Sequence, residues 1–493
     1  MAAPDDEEWP VAVEHLEIEQ KFDVAEVFAL PDLTGIAGVA QVHEPVEHAL
    51  EAAYYDTADL RLARARVTLR RRTGGTDAGW HVKLPAVAGA RRELHSPAGR
   101  AARTPPKAVL EPVLGIVRRA PVAQVASLRT RRVVTELVDA GGRVLAEVAD
   151  DHVTGTALPA GPGEAAVVTV WREVEVELVD GDAALLDAVE RKLLKAGATP
   201  AAGPSKVSRA LGGVRPESTK NTTGKINPVL AYARQQRDDL IQHDPGVRRG
   251  DPEAVHKMRV ATRRLRSTLK TFRRSFPAAA ELGSELKWLA DLLGAVRDGQ
   301  VQKGKLLAGV EDGGDGFQPV AERIRQHLDT QVEQGRQALG KVLESERYLA
   351  LLDRVDRLAD EPEPVEDDPI RRARRSLAKA DGLLDRALAD GVDAELHEAR
   401  KAYKRARYAV EVFAPSGGKP AKQLVKRLTD LQDVLGAHQD SVVARELLHE
   451  LGPDNFWFGV LWARQEQVGK DTHAELPLVV EGSREKNLRN WLG

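Results

Sequence analysis

The sequence predicts a two-domain α+β chain, an antiparallel strand domain followed by an all-helical one. Three observations carry this. The chain has 493 residues, more than one core of roughly 100–200 residues needs. Residues 11–212 alternate apolar and charged side chains with period two, between breaks of Gly, Pro and Asp. From Pro228 to about residue 480 the pattern turns helical and repeats itself.

Composition excludes several classes. With no cysteine there is no disulfide framework, no thiolate nucleophile and no Cys-ligated metal. No run of about 18 apolar residues exists to span a membrane. The opening MAAPDDEEWP is acidic and lacks the apolar stretch of a secretory signal. The expected location is therefore the cytoplasm. Aromatic residues make up 4%, too few for a base-stacking platform, so nucleic acid is not the expected partner.

The strand signals run in order. HLEIEQKF (15–22) puts Glu17, Glu19 and Lys21 on one face and Leu16 and Ile18 on the other. In VTLRRRT (67–73), Arg70 and Arg72 share a face. In WHVKLP (80–85), His81 and Lys83 oppose Trp80, Val82 and Leu84. RVLAEVAD (143–150) follows, and then TVWREVEVELV (169–179), where Glu173, Glu175 and Glu177 oppose Val174, Val176 and Leu178. A helix covers about Ala183 to Ala196, and the polar stretch 213–227 reads as a linker. His43, His48 and His95 are expected at the surface.

Each strand thus offers an apolar face to a core and a charged face. Like carboxylates at i, i+2 repel, and other strands carry only cations. A closed sheet with acids on one wall and Arg/Lys on another makes physical sense around a divalent cation bound to anionic phosphates. Oxygen ligands suit Mg²⁺ or Mn²⁺, and arginine forks match phosphate.

The segment Glu17-Ile-Glu19-Gln-Lys21-Phe22 resembles the ExExK signature of the CYTH domain, the triphosphate tunnel metalloenzyme family. Further matches follow in order: Tyr55-Asp56-Thr57, Leu69-Arg70-Arg71-Arg72, Val82-Lys83-Leu84-Pro85, Arg92-Glu93, Arg129-Thr-Arg131, Glu147 with Asp150, Glu175-Val-Glu177-Leu178 and Ser205-Lys206. The resemblance implies an eight-stranded antiparallel tunnel over residues 11–212. In it Glu17, Glu19, Glu175 and Glu177 hold Mg²⁺ or Mn²⁺. Lys21, Arg70, Arg72, Lys83, Arg129, Arg131 and Lys206 grip a triphosphate. Lys21, Glu147 and Asp150 form the implied catalytic set, the two acids balancing basic groups or positioning metal and water.

The helical region divides at the acidic, Pro-rich stretch 360–369 into repeats of about 228–359 and 370–480. His256, Arg259, Arg263, Arg264 and Arg266 are matched by His397, Arg400, Lys404, Arg405 and Arg407 at an offset of 141 residues. Phe272 matches Phe413. Leu293-Gly294-Ala295 with Asp298 matches Leu435-Gly436-Ala437 with Asp440 at an offset of 142. On a helical wheel His256, Arg259, Arg263 and Arg266 form one stripe, as do His397, Arg400, Lys404 and Arg407. No acid lies between His256 and Phe276. Same-sign neighbours at i, i+4 destabilise a helix, so a stripe kept in both repeats points to a polyanion.

This pattern resembles the CHAD domain, a histidine-containing helical domain built as a duplicated pair of four-helix bundles. The resemblance implies that the two stripes bind inorganic polyphosphate, flanked by Lys257, Arg264, Lys401 and Arg405. It also implies association with polyphosphate granules. The combined expectation is metal-dependent hydrolysis of inorganic triphosphate or short polyphosphate, with longer polyphosphate held by the helices. The alternatives are a non-catalytic polyphosphate-targeting protein, and a thiamine-triphosphatase or adenylyl-cyclase type of activity in the same tunnel.

Overall fold

The alternating runs of the first part become eleven strands of one antiparallel sheet. The computed structural model describes residues 13–74, 77–85, 91–97, 104–159, 161, 163–203, 205–213, 227–276, 279–310, 315–360 and 368–493. The acidic start, most of the expected linker and the centre of the acidic break lie outside them. The chain forms two compact units, Met1–Asn221 and Thr222–Gly493.

The strands are β1 (Val13–Glu17), β2 (Glu19–Asp23), β3 (Gln41–Val42), β4 (Val46–Thr57), β5 (Thr68–Thr73), β6 (Gly79–Pro85), β7 (Arg91–Pro97), β8 (Val122–Val138), β9 (Val144–Ala157), β10 (Val167–Leu178) and β11 (Thr199–Pro200). Their order is β1-β7-β6-β5-β4-β8-β9-β10-β2-β11, with β3 on β8. β1 and β2 are halves of one strand parted at Ile18. The first half pairs with β7 and the second with β10. The sheet therefore returns on itself through a single stretch of chain and encloses a cavity of about 810 Å³. Setting aside the two-residue β3 and β11, eight walls complete the circuit.

Period two explains the partition. Phe22, Leu137, Val148, Val174 and Val176 point outward into a buried cluster with Leu185, Val189 and Leu193 of helix α1 (Ala183–Lys195). A second apolar cluster fills the interior at one end: Tyr54, Ala126, Leu128, Val153 and Trp171 with Val207 and Ala210 of helix α2 (Lys206–Ala210). Ser205 caps α2 by accepting the Ser208 N–H. Gly155 lets α2 approach, because a Cβ there would stand 2.9 Å from the Ala210 Cβ. Asp56 of the Tyr55-Asp56-Thr57 motif is structural. Its buried carboxylate accepts the backbone N–H groups of Thr57, Leu62 and Ala63 at 2.7, 2.9 and 2.9 Å.

In the second unit the first repeat comprises α3 (Pro228–Arg248), α4 (Pro252–Thr271), α5 (Ala280–Ala308), α6 (Gln318–Leu343) and α7 (Glu346–Asp360). The second comprises α8 (Pro369–Asp390), α9 (Asp393–Glu411), α10 (Gly418–Leu451) and α11 (Phe456–Ser483). Three helices start on Asn-Pro or Asp-Pro: Asn227, Asp251 and Asp368 cap with their side chains and proline takes the first turn. The two His-bearing helices, α4 and α9, meet at Phe272 and Phe413, whose ring centroids are 6.4 Å apart. Among the described residues no helix is long and apolar enough to cross a membrane.

Candidate functional site

Seven cations line the cavity of the strand unit: Lys21, Arg70, Arg72, Lys83, Arg91, Arg132 and Lys206. Carboxylates stand among them rather than on an opposite wall. Lys206 Nζ, at the start of α2, lies 3.0 Å from Asp151, 2.7 Å from Glu173 and 2.5 Å from Glu175. Arg132 grips Asp151 with both fork nitrogens, at 2.8 and 2.7 Å, and reaches Glu175 at 2.5 Å. Lys21 contacts Glu175 and, at 3.0 Å, Glu19. Burial would push the Glu175 carboxyl up, but Lys206, Lys21 and Arg132 overcome it and hold the group well below the usual carboxylate range. The oxygens of Asp151, Glu173 and Glu175 lie within 4.8 Å of one another. A metal could sit among them, and cations already serve all three.

A second acidic group is served only at its edges, where Lys21 reaches Glu19 and His43 lies 3.0 Å from Glu136. Glu136, Glu147, Glu177 and Glu19 occupy one rung across β8, β9, β10 and β2, each the register partner of the next, and all line the cavity. Among the described residues no cation pairs with Glu147 or Glu177. Glu19 Oε1 is buried without a hydrogen bond; its nearest cation is Arg91 Nε, 3.7 Å away. Burial pushes the Glu177 carboxyl up against the pull of Lys83, and the charges of Glu19, Glu175 and Glu147 add to the rise. Four adjacent carboxylates repel one another unless a cation joins them, and their all-oxygen donor set fits Mg²⁺ or Mn²⁺.

The β5–β7 wall is a linked chain. Arg70 donates to Glu93 at 3.2 Å, His81 Nδ1 lies 2.8 Å from the same oxygen, and Lys83 donates to Glu17 at 2.5 Å. Arg72 pairs with Asp77. Burial, followed by the hydrogen bond that the protonated Glu17 donates to Glu93, pushes the Glu17 carboxyl up to about 8 against the pull of Lys83. Burial would also raise Glu93, yet His81, Glu17, Lys83 and Arg70 leave it strongly lowered. The β4–β8 wall is mostly aliphatic, with Val46, Leu50, Ala52, Leu128 and Val134 facing in.

The structure corrects four placements. Arg129 and Arg131 point out of the tunnel and pair with Glu51 and Glu47 at 3.1 and 3.2 Å. On β8 the even positions face inward, so Arg132 is the tunnel arginine. Asp150 also faces outward and is held by both nitrogens of the Arg172 fork at 2.9 and 2.7 Å; its neighbour Asp151 faces in. His95 is half-buried against His81, with ring centroids 4.7 Å apart. His43 and His48 stand at the cavity wall, His43 Nδ1 lying 3.0 Å from Glu136. Arg91, Arg132, Glu136 and Asp77 are among the lining residues that sequence reasoning missed.

In the helical unit the stripes of α4 and α9 face each other. Arg259 donates to Asp298 at 2.9 Å, and Arg400 lies 4.0 Å from Asp440. The repeated Leu-Gly-Ala segments lie beside these arginines, with space for an ordinary Cβ contact. A Cβ on Gly294 would stand 3.4 Å from an Arg259 nitrogen, and one on Gly436 would stand 3.7 Å from Arg400. Lys404 is lowered to about 7, first by burial and then by Arg400, Arg263 and Arg259, with Asp440 opposing. Burial and then Arg297 lower His256; burial and then Lys401 lower His397. Arg407 is drawn inward to Glu411 at 2.7 Å and Gln432 at 2.9 Å. Arg264 also pairs with Glu411, at 3.1 Å, while Lys257 and Lys401 pair with Glu253 and Glu398 on their own helices. No carboxylate among the described residues pairs with Arg263 or Arg266.

The CYTH domain profile matches residues 15–210 and the CHAD domain profile residues 231–449. Two proteins of Mycobacterium tuberculosis, "Uncharacterized protein Rv2226" (strain H37Rv) and "Uncharacterized protein MT2285" (strain CDC 1551), are each 37% identical over 508 residues, covering 95% of this chain and 96% of their own. Among solved structures, PptA from Streptomyces chartreusis is 20% identical, with 52% of this chain and 98% of that one covered and a TM-score of 0.45. The CHAD domain from the plant Ricinus communis is 26% identical, with 52% and 91% covered and a TM-score of 0.42.

Glu17 generates a stability prediction. Its folded pKa of about 8 lies above the unfolded value of 4.5. The folded state thus holds an extra proton between these values, and stability falls as pH rises across that window. The Glu17→Gln variant, which cannot ionise, should gain stability relative to wild type from about pH 5 to about pH 8 and level off above. Urea unfolding at stepped pH reads this directly. A pH-independent difference would show that Glu17 titrates normally.

Proposed function

This chain belongs to the family that joins a CYTH domain to a CHAD domain, and on that premise we propose that its strand unit hydrolyses inorganic triphosphate or short polyphosphate, while its helical unit binds longer inorganic polyphosphate. CYTH domains comprise metal-dependent enzymes of phosphate chemistry. The observation that carries the reading is the carboxylate rung beside a layer of buried cations. Glu19, Glu147 and Glu177, with Glu136, would hold Mg²⁺ or Mn²⁺. Such an ion, when bound, neutralises phosphate oxygens and lowers the pKa of a water.

The remaining work falls to the chain's own groups. Arg70, Arg72, Arg132, Lys21 and Lys206 bind phosphate oxygens and spread the charge of the transferring group. Phosphoryl transfer needs such positioning more than covalent help. Their carboxylate partners, Glu93, Asp77, Asp151 and Glu175, hold the guanidinium and ammonium groups in place before substrate arrives. Glu147, as one of the residues that would hold the ion, would also help orient the attacking water. The apolar cluster around Trp171 stops the cavity beyond Lys206, so a chain enters by its end. The aliphatic β4–β8 wall favours a second reading, an organic triphosphate whose non-phosphate part lies against Leu50, Ala52 and Val134.

A phosphate-release panel over triphosphate, short polyphosphate, ATP and thiamine triphosphate, with Mg²⁺ and with Mn²⁺, separates these readings. We expect Glu177→Gln and Lys21→Ala each to lower turnover by about 10²–10³-fold, and the outward Arg129→Ala to leave it unchanged. Full activity in the first two, with loss in the third, would overturn the tunnel assignment. No release from any substrate would leave a binding protein.

The helical reading has its own test. Lys404 is lowered to about 7 by burial and then by the cations around it, so it is about half neutral near pH 7. A bound polyanion reverses that field and raises its pKa, so binding takes up protons and weakens as pH rises above 7. Calorimetry with long-chain polyphosphate, in buffers of differing ionisation enthalpy, should show proton uptake in wild type and less in Lys404→Met. Equal uptake in both would remove Lys404 from the site.

A further inference from the structure

The duplicated stripes are not equivalent at their C-terminal ends. At the offset of 141 residues, Arg266 matches Arg407, but Lys270, Arg273 and Arg274 match Glu411, Ala414 and Pro415. In the second repeat Glu411 neutralises Arg407 at 2.7 Å and Arg264 at 3.1 Å, and accepts the Tyr232 hydroxyl at 2.7 Å. In the first repeat the same position is a lysine. Arg266, Lys270, Arg273 and Arg274 line a groove of about 1010 Å³ whose floor includes Leu269 and Phe276. Among the described residues no carboxylate pairs with any of the four. Arg405, partial burial, Arg266 and Lys379 together hold the Lys270 ammonium below its ordinary value. A helix C-terminus welcomes one cation through its dipole. It does not account for four gathered in one place, Arg266 and Lys270 at the i, i+4 spacing that repels.

We infer that this groove is a second anion site, present in the first repeat alone, which takes the run of a long polyphosphate chain beyond the duplicated stripes. Arg266 belongs to both the stripe and the groove and joins them. The footprint is therefore lopsided: a short chain fills the region between Arg263 and Lys404, and a long chain continues past Arg266 over Lys270, Arg273 and Arg274. The inference rests on the reading that the helical unit binds polyphosphate, and deepens it into a preference for chain length.

The test uses the full chain with the triple substitution Lys270→Gln, Arg273→Ala and Arg274→Ala. All three side chains are exposed, so folding should be unaffected, as a thermal melt would verify. Affinity for long-chain and for short-chain inorganic polyphosphate is measured across a salt series. The triple variant should lose about tenfold or more in long-chain affinity, and its salt dependence should flatten by about two to three counterions. Short-chain affinity should stay at the wild-type value. If wild type binds both chains and the variant matches it on both, the groove is not a site. If the variant loses both chains equally, it belongs to the central site and the length preference is wrong. If wild type binds neither, the polyphosphate reading itself fails.

Discussion

Burying a charge costs several kcal/mol unless an opposite charge or a ligand comes with it, and much of the interior of the strand unit is lined by charges. Its stability depends on how those charges are shared. Lys206 serves three carboxylates, Arg132 two, and the Arg70–Glu93–His81 and Lys83–Glu17 links tie β5, β6 and β7 into one network. The carboxylate partners fix each cation where a phosphate oxygen would need it. The rung of Glu136, Glu147, Glu177 and Glu19 is the exception. It has more negative charge than the protein supplies cations for, and this imbalance gives the tunnel its chemical direction.

The helical unit shows the opposite imbalance. There the surplus is positive, gathered by duplication on two facing helices. Asp298 pairs with Arg259, and Asp440 lies 4.0 Å from Arg400. Lys404 lies deep enough among cations to lose part of its charge at neutral pH. A polyanion restores it. The two units therefore present opposite imbalances, which the proposed function fills with a metal cation in one and a chain of anions in the other.

Much of this was legible before the structure. Where one face of a strand packs on a core, the apolar residues announce which parity points inward. That is why Glu17, Glu19, Lys21, Arg70, Arg72, Lys83, Glu175 and Glu177 were assigned to the cavity, and all line it. On β4 and β8 the outer face meets water and carries Glu47, Glu51, Arg129 and Arg131. Charges then stand on both faces, and parity gives no signal; Arg132 was missed for this reason. β4 is also rich in Ala, Leu and Glu, which favour helix. Asp150 and Asp151 are adjacent and both ion-paired, so only the register with Arg172 and Lys206 separates them. The helical repeat was legible in full as a pattern. The pairing of Arg259 with Asp298 was not, since it depends on a neighbouring helix.

The central claim is that the carboxylate rung and the buried cations are the two halves of one metal–triphosphate site. Anomalous diffraction from a crystal soaked with Mn²⁺ and triphosphate tests it most directly. The account predicts a manganese peak among Glu19, Glu147 and Glu177, with phosphate density against Arg70, Arg132 and Lys206. Manganese bound elsewhere, or a tunnel left empty at saturating triphosphate, would contradict it.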